Sequence, residues 1–157
     1  MGVKIKICGI SEEDNIKCCI DNSIDMIGFV FFENSPRNIS ISKAKNLYRE
    51  FGREIDIVGL VVDPHESLVE KIVNEIGINI LQFHGNENLG KLLTLKLKYN
   101  IQIIKAININ KSTDKAQLIE LHNNMDYLLF DAPPPEDSLR PGGNGNHFDW
   151  NLIKNLE

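Results

Sequence analysis

Six short apolar runs recur along the chain at a regular interval, and no other feature of the sequence restricts its fold so tightly. The runs are residues 3–8, 26–32, 55–62, 78–84, 101–107 and 127–131. Their starts fall roughly 22 to 29 residues apart, the length of a strand, a helix and two short loops. Helical patterns lie between them. Ala44, Leu47, Tyr48 and Phe51 share one face of 42–51, and Leu68, Val69, Ile72, Val73 and Ile76 share one face of 66–76. Both follow the i, i+3, i+4 spacing of an amphipathic helix. Asp63-Pro64 and Gly77 read as start and stop signals of the third unit. Thr113 is the expected N-cap of the fifth helix. Ser11 is the expected cap of the first, with Asp14 in the capping-box position three residues on.

Alternating strand-helix units imply a parallel sheet with helices outside it. Two architectures satisfy that rule, an open doubly wound sheet and a closed (β/α)8 barrel of the TIM type. An open sheet gathers its ligand signals at one switch point. Here polar residues end several different strands: Cys8 the first, Asp63 the third, His84 the fourth and Asp131 the sixth. A barrel brings all of those tips to one mouth, so the barrel is the expected fold. Strand parity agrees, because Lys4, Lys6 and Cys8 share one face and Gln82 and His84 share another. If Cys8 points inward, both lysines do too, and they need partners or water there. Two further units of about 25 residues would bring the total to roughly 200, the low end for such a barrel. The expectation is a single domain, 1–157, holding about six of the eight units, with its last helix at 149–156.

Composition narrows the function classes. A net charge of -5 argues against non-specific nucleic-acid binding, which needs a basic footprint. No stretch approaches the ~20 apolar residues of a membrane span, and the lysine-interrupted N-terminus is not a secretory signal. The three cysteines lack zinc-knuckle spacing, and adjacent Cys18 and Cys19 on a helix suit a reducing, cytoplasmic setting.

Several residues have the right type and place for chemistry. Cys8 sits where a strand turns into a helix, and Gly9 beside it permits a tight turn or a close ligand approach. The plain alternative is a small buried side chain. Asp131 is either a strand-end cap or a general acid, and its neighbours Phe130 and Ala132 suit the latter because desolvation favours a protonated carboxyl. Arg37, stiffened by Pro36, is either a solvated arginine or a fork for a carboxylate or phosphate. His84 at a strand end is more often structural, and Asp63 before Pro64 reads as a turn residue. The segment Pro141-Gly142-Gly143-Asn144-Gly145 is neither a P-loop nor a dinucleotide fingerprint. It reads as a flexible loop or as a lid whose amides, at Gly142, Gly143 and Gly145, reach a ligand.

Taken in order, these pieces resemble phosphoribosylanthranilate isomerase, a (β/α)8 barrel family of tryptophan biosynthesis. The resemblance runs from residue 3 to residue 152. Its motifs are Lys6-Ile7-Cys8-Gly9-Ile10, Gly28-Phe29-Val30-Phe31 with Ser35-Pro36-Arg37, Val58-Gly59-Leu60-Val61, Leu81-Gln82-Phe83-His84-Gly85, Phe130-Asp131, and Gly142-Gly143-Asn144-Gly145 with Phe148-Asp149-Trp150. The resemblance implies an Amadori rearrangement of N-(5′-phosphoribosyl)anthranilate. Asp131 would protonate the furanose oxygen, and Cys8 would take the C2′ proton as a thiolate, a form that Lys6 on the same strand face would favour. Arg37 would hold the anthranilate carboxylate, and His84 would lie near the mouth with no assigned step. No metal or organic cofactor is implied, and the partner is a small phosphorylated substrate.

Two departures accompany the resemblance. The family's glycine-rich segments after the seventh and eighth strands, which grip phosphate, are absent, and the loop 133–141 is long and carries Glu136 and Asp137. Remote binding energy contributes to catalysis, so a chain without the phosphate grip is expected to be a much weaker enzyme. The competing class is a non-catalytic or assembly-dependent unit. Its open strand edges would be completed by a second copy or by a separate C-terminal segment. A third reading is another sugar-phosphate barrel isomerase.

Overall fold

The structure, a computed structural model, describes residues 3–110, 112–135, 137–138 and 141–153. Six strands, β1 (Lys6–Cys8), β2 (Met26–Phe31), β3 (Asp56–Val61), β4 (Ile80–Phe83), β5 (Gln102–Asn108) and β6 (Tyr127–Asp131), pair in parallel in chain order. Helices α1 (Glu13–Asp21), α2 (Ile41–Phe51), α3 (Glu66–Glu70), α4 (Leu89–Tyr99) and α5 (Lys115–Asn124) connect them. Among the described residues β1 pairs only with β2 and β6 only with β5. The sheet is nevertheless strongly curled. Flat, it would separate β1 from β6 by about 24 Å at ~4.8 Å per strand. Instead Cys8 of β1 and Asp131 of β6 line one hollow. The architecture is thus α/β, with six parallel strands bent into a half-barrel.

Strand parity divides the apolar side chains between two layers. Ile27, Phe29, Phe31, Ile57, Val61, Leu81, Phe83 and Ile103 face the helices and pack with Ile16, Ala44, Leu47, Phe51, Val69, Ile72, Leu92 and Leu95. Met26, Val58, Ile80 and Ile104 face inward and form a smaller cluster with Leu129. The outer cluster carries most of the burial, at about 1.5–3 kcal/mol for each large apolar side chain removed from water.

Local signals account for most helix boundaries. Ser40 caps α2 by accepting from the Lys43 amide at 3.2 Å, and Asn88 caps α4 by accepting from Lys91 at 2.8 Å. Two expected caps differ. Asp114, not Thr113, caps α5, accepting from Ala116 at 2.9 Å, while Thr113 Oγ1 accepts from the Asn110 amide and closes the preceding turn. Glu12 occupies the N-cap position of α1 without a side-chain cap bond, and the Ser11 hydroxyl turns to the Glu12 carboxylate. The regular helix expected over 66–76 is α-helical only to Glu70. It then widens into a π-helix, Lys71–Ile76, that ends at Gly77 with φ 104°. The winding changes but the apolar stripe survives, with Ile72 and Ile76 buried. The last expected helix is a 3-10 turn, Trp150–Leu152, capped by Asp149, and residues 154–156 of that expectation lie outside the described residues.

Candidate active site

At the carboxyl ends of the strands, curling leaves a hollow of about 330 Å³. Cys8 enters it from β1, Arg37 from the loop after β2, Gln82 and His84 from β4 and the residue following it, and Asp131 from β6. Gly142 and Gly143 close one side. Gly145, with φ 73°, has nothing within 4 Å of where a Cβ would sit and is not part of this lining. The plain alternative for Cys8, a fully buried side chain, does not hold, because the thiol is only partly covered.

The thiol wall depends on two glycines. A Cβ on Gly28, beside Cys8 in the register, would lie 2.8 Å from the Cys8 sulfur, so only glycine leaves the thiol its place. Gly9 has φ 87°, and a Cβ there would lie 2.3 Å from Arg37 Cδ. The Arg37 side chain therefore lies across the Gly9 backbone and donates from Nη1 to the Cys8 carbonyl at 2.8 Å. That bond ties the cation to the strand carrying the thiol and leaves the rest of the guanidinium fork aimed at the hollow. The Ser35 hydroxyl accepts from the Arg37 amide at 3.2 Å and fixes the loop. Lys6 also lines the hollow, half-buried, whereas Lys4 is exposed, so the open interior leaves both lysines access to water.

On the opposite wall Asp131 Oδ1 accepts from the Ala132 amide at 2.8 Å. Its Oδ2 lies 3.2 Å from His84 Nε2, within ion-pair distance but off the hydrogen-bonding direction. Burial pushes the His84 pKa down, and the opposing pull of the Asp131 carboxylate does not offset it. Burial thus favours the neutral imidazole of His84. Gly142 packs on this pair: a Cβ there would lie 2.4 Å from both Asp131 Oδ2 and His84 Nε2.

This arrangement has relatives. A family profile described as N-(5′-phosphoribosyl)anthranilate (PRA) isomerase matches residues 5–157. The chain belongs to this isomerase family. It is 38% identical over its whole length to N-(5′-phosphoribosyl)anthranilate isomerase of Rhodopseudomonas palustris (strain BisB5), covering 72% of that protein. It is 36% identical, again over its whole length, to the enzyme of the same name from Bradyrhizobium diazoefficiens, covering 70% of it. Among solved structures it resembles the phosphoribosyl anthranilate isomerase of Thermotoga maritima, with a TM-score of 0.78 and 27% identity over 97% of this chain and 70% of that one. The fold also matches an isomerase of the family in complex with reduced 1-(o-carboxyphenylamino)-1-deoxyribulose 5-phosphate, at a TM-score of 0.75 and 24% identity over 98% of this chain and 69% of that one.

Behind the isomerase-like mouth lies a buried ion pair. Lys105 sits beside Phe83 in the register, on the helix side of the sheet, and its ammonium donates to Glu87 Oε2 at 2.8 Å and to the Gly85 carbonyl at 2.7 Å. Glu87 Oε1 accepts from the Asp63 amide at 2.8 Å, and both of its oxygens accept from the Gly85 amide. Asp63, at φ 43°, accepts from the Asn86 amide at 2.8 Å. It is a turn residue, as its sequence context suggests, and it joins the loops after β3 and β4. The clamp sets the path of the backbone immediately after His84.

Sequence reasoning did not single out Gln82, Glu87 or Lys105. A signal existed for two of them: Gln82 and Lys105 interrupt strands that are otherwise apolar at their centres. Such a residue has to find partners on folding or remain an unpaired polar group. Among the described residues no cluster of His, Cys, Asp or Glu is arranged to hold a metal ion, and no helix is long and apolar enough to cross a membrane.

Proposed function

We propose that this chain catalyses the Amadori rearrangement of N-(5′-phosphoribosyl)anthranilate to 1-(2-carboxyphenylamino)-1-deoxyribulose 5-phosphate, an aldose-ketose isomerisation of the intramolecular oxidoreductase class in tryptophan biosynthesis. The observation that carries the reading is the convergence of a thiol from β1, a carboxyl from β6 and an anchored guanidinium on one hollow. Asp131 delivers a proton to the furanose oxygen, the C1′–O bond breaks, and the nitrogen lone pair forms the Schiff base. Cys8, as thiolate, removes the C2′ proton. The C–H electrons form the enolamine, which tautomerises to the ketone, so C1′ is reduced as C2′ is oxidised. Arg37 receives the anthranilate carboxylate through its fork. The amides of Gly142, Gly143 and Gly145 belong to a loop that closes over the ligand. The family member solved with a reduced product analogue supports a substrate of this class.

The same reading takes the six strands as six of the eight units of a barrel in one domain, 1–157. The outer edges of β1 and β6, unpaired among the described residues, support it, as does the span of 70–72% of the curated relatives. Residues 1–157 assayed by themselves, without the phosphate grip of the last two units, are expected to turn over slowly and to bind substrate weakly. Three cysteines, all unpaired, fit a cytoplasmic location. The test is product formation from N-(5′-phosphoribosyl)anthranilate by the purified chain, alongside other aldose phosphates. Conversion of only the anthranilate compound supports the reading, and conversion of other sugar phosphates instead would reassign the site.

A further inference from the structure

Gln82 is 2% exposed on the inner face of β4, two residues before His84. Its amide nitrogen lies 3.3 Å from His84 Nδ1. In this orientation of the amide the nitrogen can only donate, so Nδ1 accepts and the imidazole proton is placed on Nε2. That Nε2 is the atom 3.2 Å from Asp131 Oδ2, and neither it nor Gln82 Oε1 has a hydrogen-bond partner although both are buried. Buried polar atoms are rarely left without partners, and here two of them lie beside the carboxyl that must change protonation state.

We propose that Gln82 is a positioning residue that fixes His84 as its Nε2–H tautomer, so that His84 donates to the carboxylate left on Asp131 after the acid step. The proposal rests on the isomerase reading above. Asp131 ends its first step negatively charged in a partly buried wall. A neutral N–H donor 3.2 Å from Oδ2 stabilises that charge, once the two align, without supplying a proton of its own. His84 stays neutral throughout, which its burial favours. The other tautomer would point a lone pair at the carboxylate and oppose the same step. Around the imidazole the charged groups are Asp131 from β6, Lys105 from β5 and Glu87 from the loop before α4. Cys8, Lys6 and Arg37 lie on the far wall. Lys105 and Glu87 satisfy one another, and among the described residues Gln82 is the group that reaches Nδ1.

Two readouts test the idea on the intact chain. Nitrogen NMR of 15N-histidine-labelled protein reports which ring nitrogen carries the proton, with His84 assigned from the spectrum of His84→Gln. The expected result is Nε2–H in the unaltered protein and Nδ1–H in Gln82→Glu, whose carboxylate can only accept. An Nδ1–H tautomer in the unaltered protein would overturn the proposal, and that arm needs no variant at position 82 to fold. Kinetically, Gln82→Met is expected to lower kcat about tenfold with KM within about threefold, because the lost interaction acts after binding. In a His84→Gln background, where the new amide carries its own N–H, the same change is expected to cost less than about twofold. An equal cost in both backgrounds would mean a merely structural role for Gln82. A chain with no turnover at all would refute the activity proposed above and leave the tautomer spectrum to decide this one.

Discussion

Arg37 is held in place before any substrate arrives, since one of its N–H groups already bonds the Cys8 carbonyl. Its role is therefore testable as binding. A charge-assisted contact contributes about 1.5–3 kcal/mol, so Arg37→Met is expected to raise KM roughly 10- to 100-fold with a smaller change in kcat. Arg37→Lys keeps the charge but loses the fork and should fall between. An unchanged KM in steady-state assays would remove Arg37 from the site. His84 gives a second prediction. Unfolded, it takes up a proton near its ordinary pKa of about 6.5, whereas folded it resists until a lower pH. The folded state therefore binds fewer protons, and stability is lost as pH falls from that ordinary value toward the lowered one. Urea midpoints measured between pH 7.5 and 5 should decline more steeply for the unaltered protein than for His84→Gln, and equal slopes would contradict the lowered pKa. At this scale the sequence was informative about strand ends. Position marked Cys8 and Asp131 as candidates and left His84 as more often structural, and the structure brings all three to one hollow. Gln82 was not marked, because its importance lies in which atom of His84 it faces, and that is a matter of geometry.

Among the elements, the loop after β4 is fixed by the buried Glu87–Lys105 pair. Removing one member of such a pair leaves an uncompensated charge, so Glu87→Ala should destabilise the fold by about 3–5 kcal/mol. Glu87→Gln keeps some of the amide contacts and should cost less. A loss below about 1 kcal/mol by urea titration would mean that water reaches Lys105 and satisfies it. The strands were legible because apolar runs at regular spacing are strong signals, and each observed strand lies within three residues of its expected run. The helix starts were less so. Thr113 and Asp114 are both good caps in sequence, and the choice between them follows from Thr113 being engaged with Asn110. The π-helix of 71–76 was not legible at all, because Ile72 and Ile76 keep the same four-residue spacing in either winding.

For the whole molecule, the curled sheet leaves an apolar margin. Val3, Ile5 and Ile7 lie along the start of β1, exposed by 91%, 49% and 38%. Together with the outer edges of β1 and β6, which pair with no strand among the described residues, this predicts self-association of residues 1–157 studied by themselves. Light scattering should give a mass above the 17.8 kDa of one chain, and a monomer at tens of micromolar would contradict that. The barrel-like gathering of strand tips was foreseeable from their spread along the sequence, whereas the open edges followed only from counting units. The central claim remains the thiol-carboxyl pair. Its most direct test is the loss of N-(5′-phosphoribosyl)anthranilate fluorescence on adding the purified chain, compared with Cys8→Ala and Asp131→Asn. A slow decay above the uncatalysed rate is expected, and both variants should abolish it. A decay that persists in either variant, or none with the unaltered chain, would contradict the claim.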